Sequence, residues 1–170
     1  VLDYDDLLLY WWALLDSPAA DTVRAQFDHV LVDEYQDTNR LQAEILLAMR
    51  PDGAGLTVVG DAAQAIYSFR AASIENIRRF PEVFPGAAVV TLVQNYRSAP
   101  QVLAAANAVI AASTELYPKQ LRSTSPDGAV PDLVTCADET AQADHVCDLV
   151  LAHREEGMAL RDQAVLFRAG

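Results

Sequence analysis

Lysine is almost absent from this chain of 170 residues, where Lys119 stands alone. No Gly-Lys-Ser or Gly-Lys-Thr triplet occurs, so the chain carries no phosphate-cradling loop of the kind that ends in a lysine. Basic residues are scarce in general: 12 Lys and Arg face 24 Asp and Glu, for a formal net charge of -12. That balance excludes a broadly basic nucleic-acid surface and leaves room only for a local groove lined by a few arginines. Cysteine is limited to Cys136 and Cys147, with no CxxC pair, which excludes a zinc ribbon and a disulfide framework. Two reduced thiols in a cytoplasmic protein are the expectation. The nearest approach to a membrane span, Leu7 to Leu15, is too short and holds two tryptophans. No basic and apolar signal segment opens the chain. It starts at Val1 and stops at Gly170 just after a strand-like run, so both ends read as cuts through a longer protein.

What is present is a core-forming composition, 52% hydrophobic. Apolar patterning predicts helices over 3–15, 40–50, 74–84, 101–113 and 140–154. It predicts strands over 27–32, 56–59, 88–93, 132–136 and 163–167. Helix 74–84 is expected to break at Pro81 and Pro85, and 118–131 reads as a loop. Strands alternating with helices imply an α/β fold with a parallel sheet and flanking helices. The polar connector near Gln94 is the expected boundary between two α/β units. Tyr10-Trp11-Trp12 is expected to pack the first helix against the sheet. His29, His145 and His153 have no metal-ligand spacing. His145 and Cys147, two apart on a helix, point to different faces.

The chemistry starts at Leu31-Val32-Asp33-Glu34-Tyr35-Gln36-Asp37, where an apolar strand ends in adjacent carboxylates. In an open parallel sheet, ligands bind beyond the carboxyl ends of the strands. Asp33 can hold a hydrated Mg²⁺ that bridges phosphate oxygens. Glu34 can orient or deprotonate an attacking water. A solvated acidic loop, or helix capping by Asp37, accounts for the same residues.

Val32-Asp33-Glu34-Tyr35-Gln36-Asp37-Thr38 resembles the Walker B segment of the UvrD/Rep/PcrA family of superfamily 1 helicases, V-D-E-F/Y-Q-D-T. Val58-Val59-Gly60-Asp61-Ala62-Ala63-Gln64-Ala65-Ile66-Tyr67-Ser68-Phe69-Arg70-Ala71-Ala72 resembles the family's next motif. Leu92-Val93-Gln94-Asn95-Tyr96-Arg97-Ser98 is similar to its L-x-x-N-Y-R-S. Asp3-Tyr4-Asp5-Asp6-Leu7-Leu8 looks like the segment found ahead of Walker B. These matches run in family order over essentially the whole chain.

The resemblance implies a RecA-like P-loop NTPase fold in two partial motor domains, 1–93 the latter half of the first and 94–170 the opening of the second. It implies ATP and Mg²⁺ as cofactors, with Asp33 as the metal ligand and Gln36 and Tyr96 on the nucleotide. Glu34 would be the general base, Gln64 the γ-phosphate sensor and Arg97 the cation that reaches the γ-phosphate across a cleft. An amide such as Gln64 can contact phosphate and a neighbour at once, though it can equally be a cap. Arg97 as a surface ion pair is the bland counterpart of its role. Tyr67, Phe69 and Arg70 would meet DNA, because bases stack on aromatic faces and arginine adds phosphate contacts. Core packing is the alternative for the two rings.

The implied activity is an ATP-dependent DNA helicase or translocase on single-stranded DNA, 3′ to 5′, in repair or recombination. Its partners would be single-stranded DNA, ATP and the rest of the same polypeptide, with no membrane. The chain alone is expected to be inactive for want of the phosphate loop. A degenerate, non-catalytic helicase module that binds DNA or a protein is the alternative. Two departures stand out from the pattern: Ala71-Ala72 where Gly-Ala is common, and Ala62-Ala63 in place of an acidic pair.

Overall fold

The computed structural model describes residues 2–113 and 119–167, without the Arg70 side chain. The chain forms two compact units, Val1–Ala129 and Val130–Gly170. The first opens with α1 (Tyr4–Leu15). Asp3 starts it through a reciprocal capping box. Its carboxylate accepts the Asp6 N–H at 2.9 Å, and the Asp6 carboxylate accepts the Asp3 N–H at 3.2 Å. After the short α2 (Ala20–Arg24) come β1 (Val30–Val32), α3 (Arg40–Met49) and β2 (Leu56–Val58). Asn39 and Gln42 form a second capping box at the start of α3.

The core of this unit lies between α1 and α3. Leu15, Ile45 and Met49 are buried there, with Leu8, Val23, Val30, Leu41 and Ala48 packed around them. Leu41, Ile45 and Met49 recur at helical spacing, so one face of α3 is apolar and meets the core. α1 turns Leu8 and Leu15 inward, while Tyr10, Trp11 and Trp12 stay substantially exposed. The aromatic triplet therefore does not carry the packing expected of it.

β1 and β2 pair in parallel with Val30 opposite Leu56 and Val32 opposite Val58, so the two strands end side by side. α4 (Ile74–Arg78) and α5 (Phe80–Val83) follow, with the break at Arg79 and Pro81 inside the first turn of α5. That is where proline is tolerated, because the first-turn N–H groups have no intrahelical acceptor. Phe80 of α5 meets the buried Tyr35 edge-on at 5.6 Å and Phe84 at 4.9 Å.

The remainder of the first unit holds β3 (Gln94–Asn95), α6 (Pro100–Ala111) and β4 (Arg122–Ser123). β3 and β4 form a second parallel pair. Asn107 of α6 fixes the approach to β4, its side-chain amide donating to Leu121 O and accepting from Leu121 N–H, both at 2.9 Å. The second unit contains α7 (Glu139–Glu155), capped by Asp138, and Gln163 Nε2 donates to Val150 O at 3.2 Å.

The architecture is mixed α/β with two small parallel sheets. Three predicted strands are absent: 88–93, 132–136 and 163–167 have no ladder. Val89, Val90, Leu92, Leu133, Val165, Leu166 and Phe167 are exposed. A β-branched run states a preference, but a parallel strand exists only through hydrogen bonds to a neighbour. Among the described residues none offers such a ladder to these runs.

Candidate functional site

The equal register of β1 and β2 brings two polar turns together at their carboxyl ends. Val59 N–H donates to Val32 O at 2.8 Å, and Tyr35 N–H to Val59 O at 2.9 Å, so the chains stay laced just past the strands. Asp33 and Glu34 emerge from β1 and are exposed. Glu34 takes a left-handed conformation, φ 50° and ψ 42°, uncommon outside glycine. Its N–H donates to Asp33 Oδ1 at 2.9 Å. Two exposed hard-oxygen carboxylates at a strand tip fit a hydrated divalent cation, which takes most of its ligands from water and phosphate. Among the described residues no three His, Cys, Asp or Glu side chains gather into an all-protein metal cage.

Gln36 enters a 3-10 turn, Tyr35–Asp37, and is 1% exposed. Its Nε2 donates to Glu34 Oε2 at 2.7 Å, and its Oε1 accepts the Asp61 N–H at 2.9 Å. Gly60 makes this approach possible: a Cβ there would lie 2.7 Å from Gln36 Oε1 and 2.8 Å from Ile77 Cδ1.

Asp61 anchors the turn beyond β2. Its carboxylate accepts the Ala63 N–H at 3.0 Å and Gln64 Nε2 at 2.9 Å, and it pairs with Lys119. Burial pushes the Asp61 carboxyl up, but the bonds from Lys119, Gln64 and Ala63, with the Lys119 charge, outweigh it and hold the group below its ordinary range. Gln64 is exposed, with its amide held by that carboxylate.

The chain then runs through Tyr67 and Phe69, whose rings lie 5.8 Å apart and tilted. Phe69 is 75% exposed. Ala71 closes the turn at φ 60°. The loop is stitched back to the first motif, as Ser73 N–H donates to Thr38 O at 3.0 Å and Asn76 Nδ2 to Thr38 O at 2.9 Å. A cavity of about 220 Å³ lies under this loop, lined by Gln36, Ala65, Tyr67, Ser68, Ala72, Ser73 and Ile74.

Tyr96 and Arg97 stand apart from this cluster. They follow β3 on an exposed turn that Asn95 organises, its Oδ1 accepting the Arg97 N–H at 2.9 Å and the Ser98 N–H at 2.7 Å. Among the described residues no hydrogen bond, ion pair or ring contact joins either side chain to Asp33, Glu34, Gln36 or Gln64. The structure thus unites Asp33, Glu34, Gln36 and Gln64, places Tyr67 and Phe69 together on the adjoining loop, and leaves Tyr96 and Arg97 separate. The Arg70 side chain lies outside the described part. Sequence reasoning missed three partners: Lys119, Asn76, and Gln36 as a link between the two turns. All three depend on contacts distant in sequence, for which a single sequence carries no signal.

Residues 1–85 match the UvrD/REP helicase N-terminal domain, and residues 90–170 match the UvrD-like helicase C-terminal domain. DNA helicase II of Escherichia coli K12 is 36% identical over 171 residues, covering 99% of this chain and 24% of that protein. The ATP-dependent DNA helicase PcrA of Staphylococcus epidermidis is 34% identical over 169 residues, covering 98% of this chain and 23% of that protein. The chain spans about a quarter of the length of these relatives.

Proposed function

The chain belongs to the UvrD/REP helicase family, and from that premise we propose that it forms the central part of an ATP-driven translocase on single-stranded DNA. Its two α/β portions would be RecA-like, 1–93 from the first motor domain and 94–170 from the second, with ATP between them. The observation that carries this reading is the joining of Glu34 and Asp61, at the ends of two parallel strands, through one buried amide. Such a junction suits an ATPase, because it would hold the carboxylate that handles the water at a fixed separation from the turn that senses phosphate.

Each side chain then has a task. Asp33 would hold Mg²⁺, which when bound supplies charge neutralisation on the phosphates. Glu34 would take the proton of the attacking water. Gln64, its amide already fixed by Asp61, would report the γ-phosphate to the loop that bears Phe69. Arg97 would stabilise charge on the transferred group, and Tyr96, 78% exposed, offers a face for the adenine. Tyr67, Phe69 and Arg70 would meet the DNA. Phosphate cradling would come from a Gly-Lys-Ser/Thr loop in the same longer polypeptide, so the chain by itself is expected to turn over no ATP. Translocation 3′ to 5′ and a role in repair or recombination belong to the same reading.

The test is ATPase of the full-length polypeptide with and without single-stranded DNA, beside Glu34→Gln. DNA-stimulated turnover that falls roughly a hundredfold in the variant, with nucleotide still bound, supports the reading. A full-length protein that binds DNA without hydrolysing ATP would make it a non-catalytic module instead.

A further inference from the structure

The geometry points to Gln36 as a positioning residue that sets the Glu34 carboxylate against the Asp61 turn, acting on hydrolysis from behind the site rather than by touching nucleotide. The inference rests on the reading of Glu34 as the base. Gln36 is an uncharged amide at 1% exposure, a place where a polar group is costly unless its bonds are made. Both are made, and both end on functional turns: Nε2 on Glu34 Oε2 at 2.7 Å, Oε1 on the Asp61 N–H at 2.9 Å. The donor bond occupies one carboxylate oxygen and would leave Glu34 Oε1 for the attacking water. The acceptor bond fixes the backbone from which the Asp61–Gln64 contact is built. Glu34 itself sits exposed in a left-handed turn at the end of β1, and the bond from Gln36 is what ties its carboxylate to the fold. Gln36 also lines the cavity under the 65–74 loop, so a shift of that loop bears on the same amide.

The two bonds can be separated in the full-length polypeptide. Gln36→Glu keeps an oxygen for the Asp61 N–H and replaces the amide donor with a second carboxyl, which burial beside Glu34 drives to share a proton with it and so to compete with its role as base. Gln36→Met removes both at similar length. The readouts are kcat and KM for ATP at saturating single-stranded DNA, melting temperature, and hydrogen exchange at the Asp61 amide. Both variants should lose roughly tenfold or more in kcat, with KM for ATP changed by less than about threefold. Asp61 exchange should accelerate roughly tenfold in Gln36→Met and stay protected in Gln36→Glu. Wild-type kcat in both variants, or a loss that only tracks the fraction unfolded, overturns the inference. A wild-type protein without DNA-stimulated turnover, or Glu34→Gln with full turnover, sinks the helicase reading separately. In that case exchange alone decides, and unchanged Asp61 exchange in Gln36→Met overturns the positioning role.

Discussion

Gly60 and Gln36 are in a contact that only a missing side chain permits, since a Cβ on Gly60 would come within 2.7 Å of Gln36 Oε1. The same Cβ would meet Ile77 Cδ1 at 2.8 Å and the Gln36 backbone nitrogen at 3.3 Å, so two side-chain ends must move and the Gln36 backbone is crowded as well. Gly60→Ala should therefore destabilise the protein by about 1–3 kcal/mol, the usual range for overpacking. It should also displace the amide that joins the two turns. Thermal melting and DNA-stimulated ATPase on the same sample check both effects. An unchanged melting temperature would mean that the β2 turn is softer than its packing implies.

Phe69 is 75% exposed and pairs with Tyr67 rather than entering the core. Phe69→Ala should leave stability within about 0.5 kcal/mol, as at other surface positions. Stacking of a base on one aromatic is worth about 1–3 kcal/mol, so the DNA concentration for half-maximal ATPase should rise roughly ten- to a hundredfold. Basal turnover should stay near that of the wild type. A large drop in melting temperature with normal DNA stimulation would return Phe69 to a packing role.

Ala71 adopts φ 60°, a left-handed conformation that costs an L-residue about 1–2 kcal/mol and glycine almost nothing. Part of that gain is offset by the greater freedom of glycine in the unfolded chain. Ala71→Gly should stabilise by about 0.5–1 kcal/mol, read as a small rise in melting temperature. A fall would show that the turn relaxes out of the left-handed region in solution.

The Asp61–Lys119 pair predicts a sign for acid sensitivity. Asp61 is held below its ordinary value of 3.8, with burial opposed and outweighed by the bonds from Lys119, Gln64 and Ala63. A carboxyl lowered on folding contributes stability that is present above the unfolded value and lost as pH falls through the folded one. Asp61→Asn should cost stability at neutral pH and flatten the decline of melting temperature below pH 3.8. Lys119→Met should act in the same direction, since it removes both the bond and the charge. Parallel acid profiles for all three proteins would show that the pair does not form in solution.

The elements readable in advance were those whose determinants are local. Asp3 with Asp6, and Asn39 with Gln42, mark helix starts within one turn of chain. The spacing of Leu41, Ile45 and Met49 defines the buried face of α3. The order Asp33-Glu34, Gly60-Asp61, Gln64 and Asn95-Tyr96-Arg97 identifies the family, because a motif is a linear object. What the linear order could not state is which partner each polar group finds. The runs 88–93, 132–136 and 163–167 have the composition of strands and no ladder, since strand formation needs a neighbour that the run itself does not encode. Gln36, part of a recognisable motif, gains its meaning only from the 2.9 Å bond to Asp61, 25 residues away. Lys119 and Asn76 likewise reach Asp61 and Thr38 through the fold alone. Residue type and spacing set the chemistry available; closure of the chain on itself decides which oxygen meets which hydrogen, because hydrogen bonds act over a few ångströms and sequence distance does not constrain them.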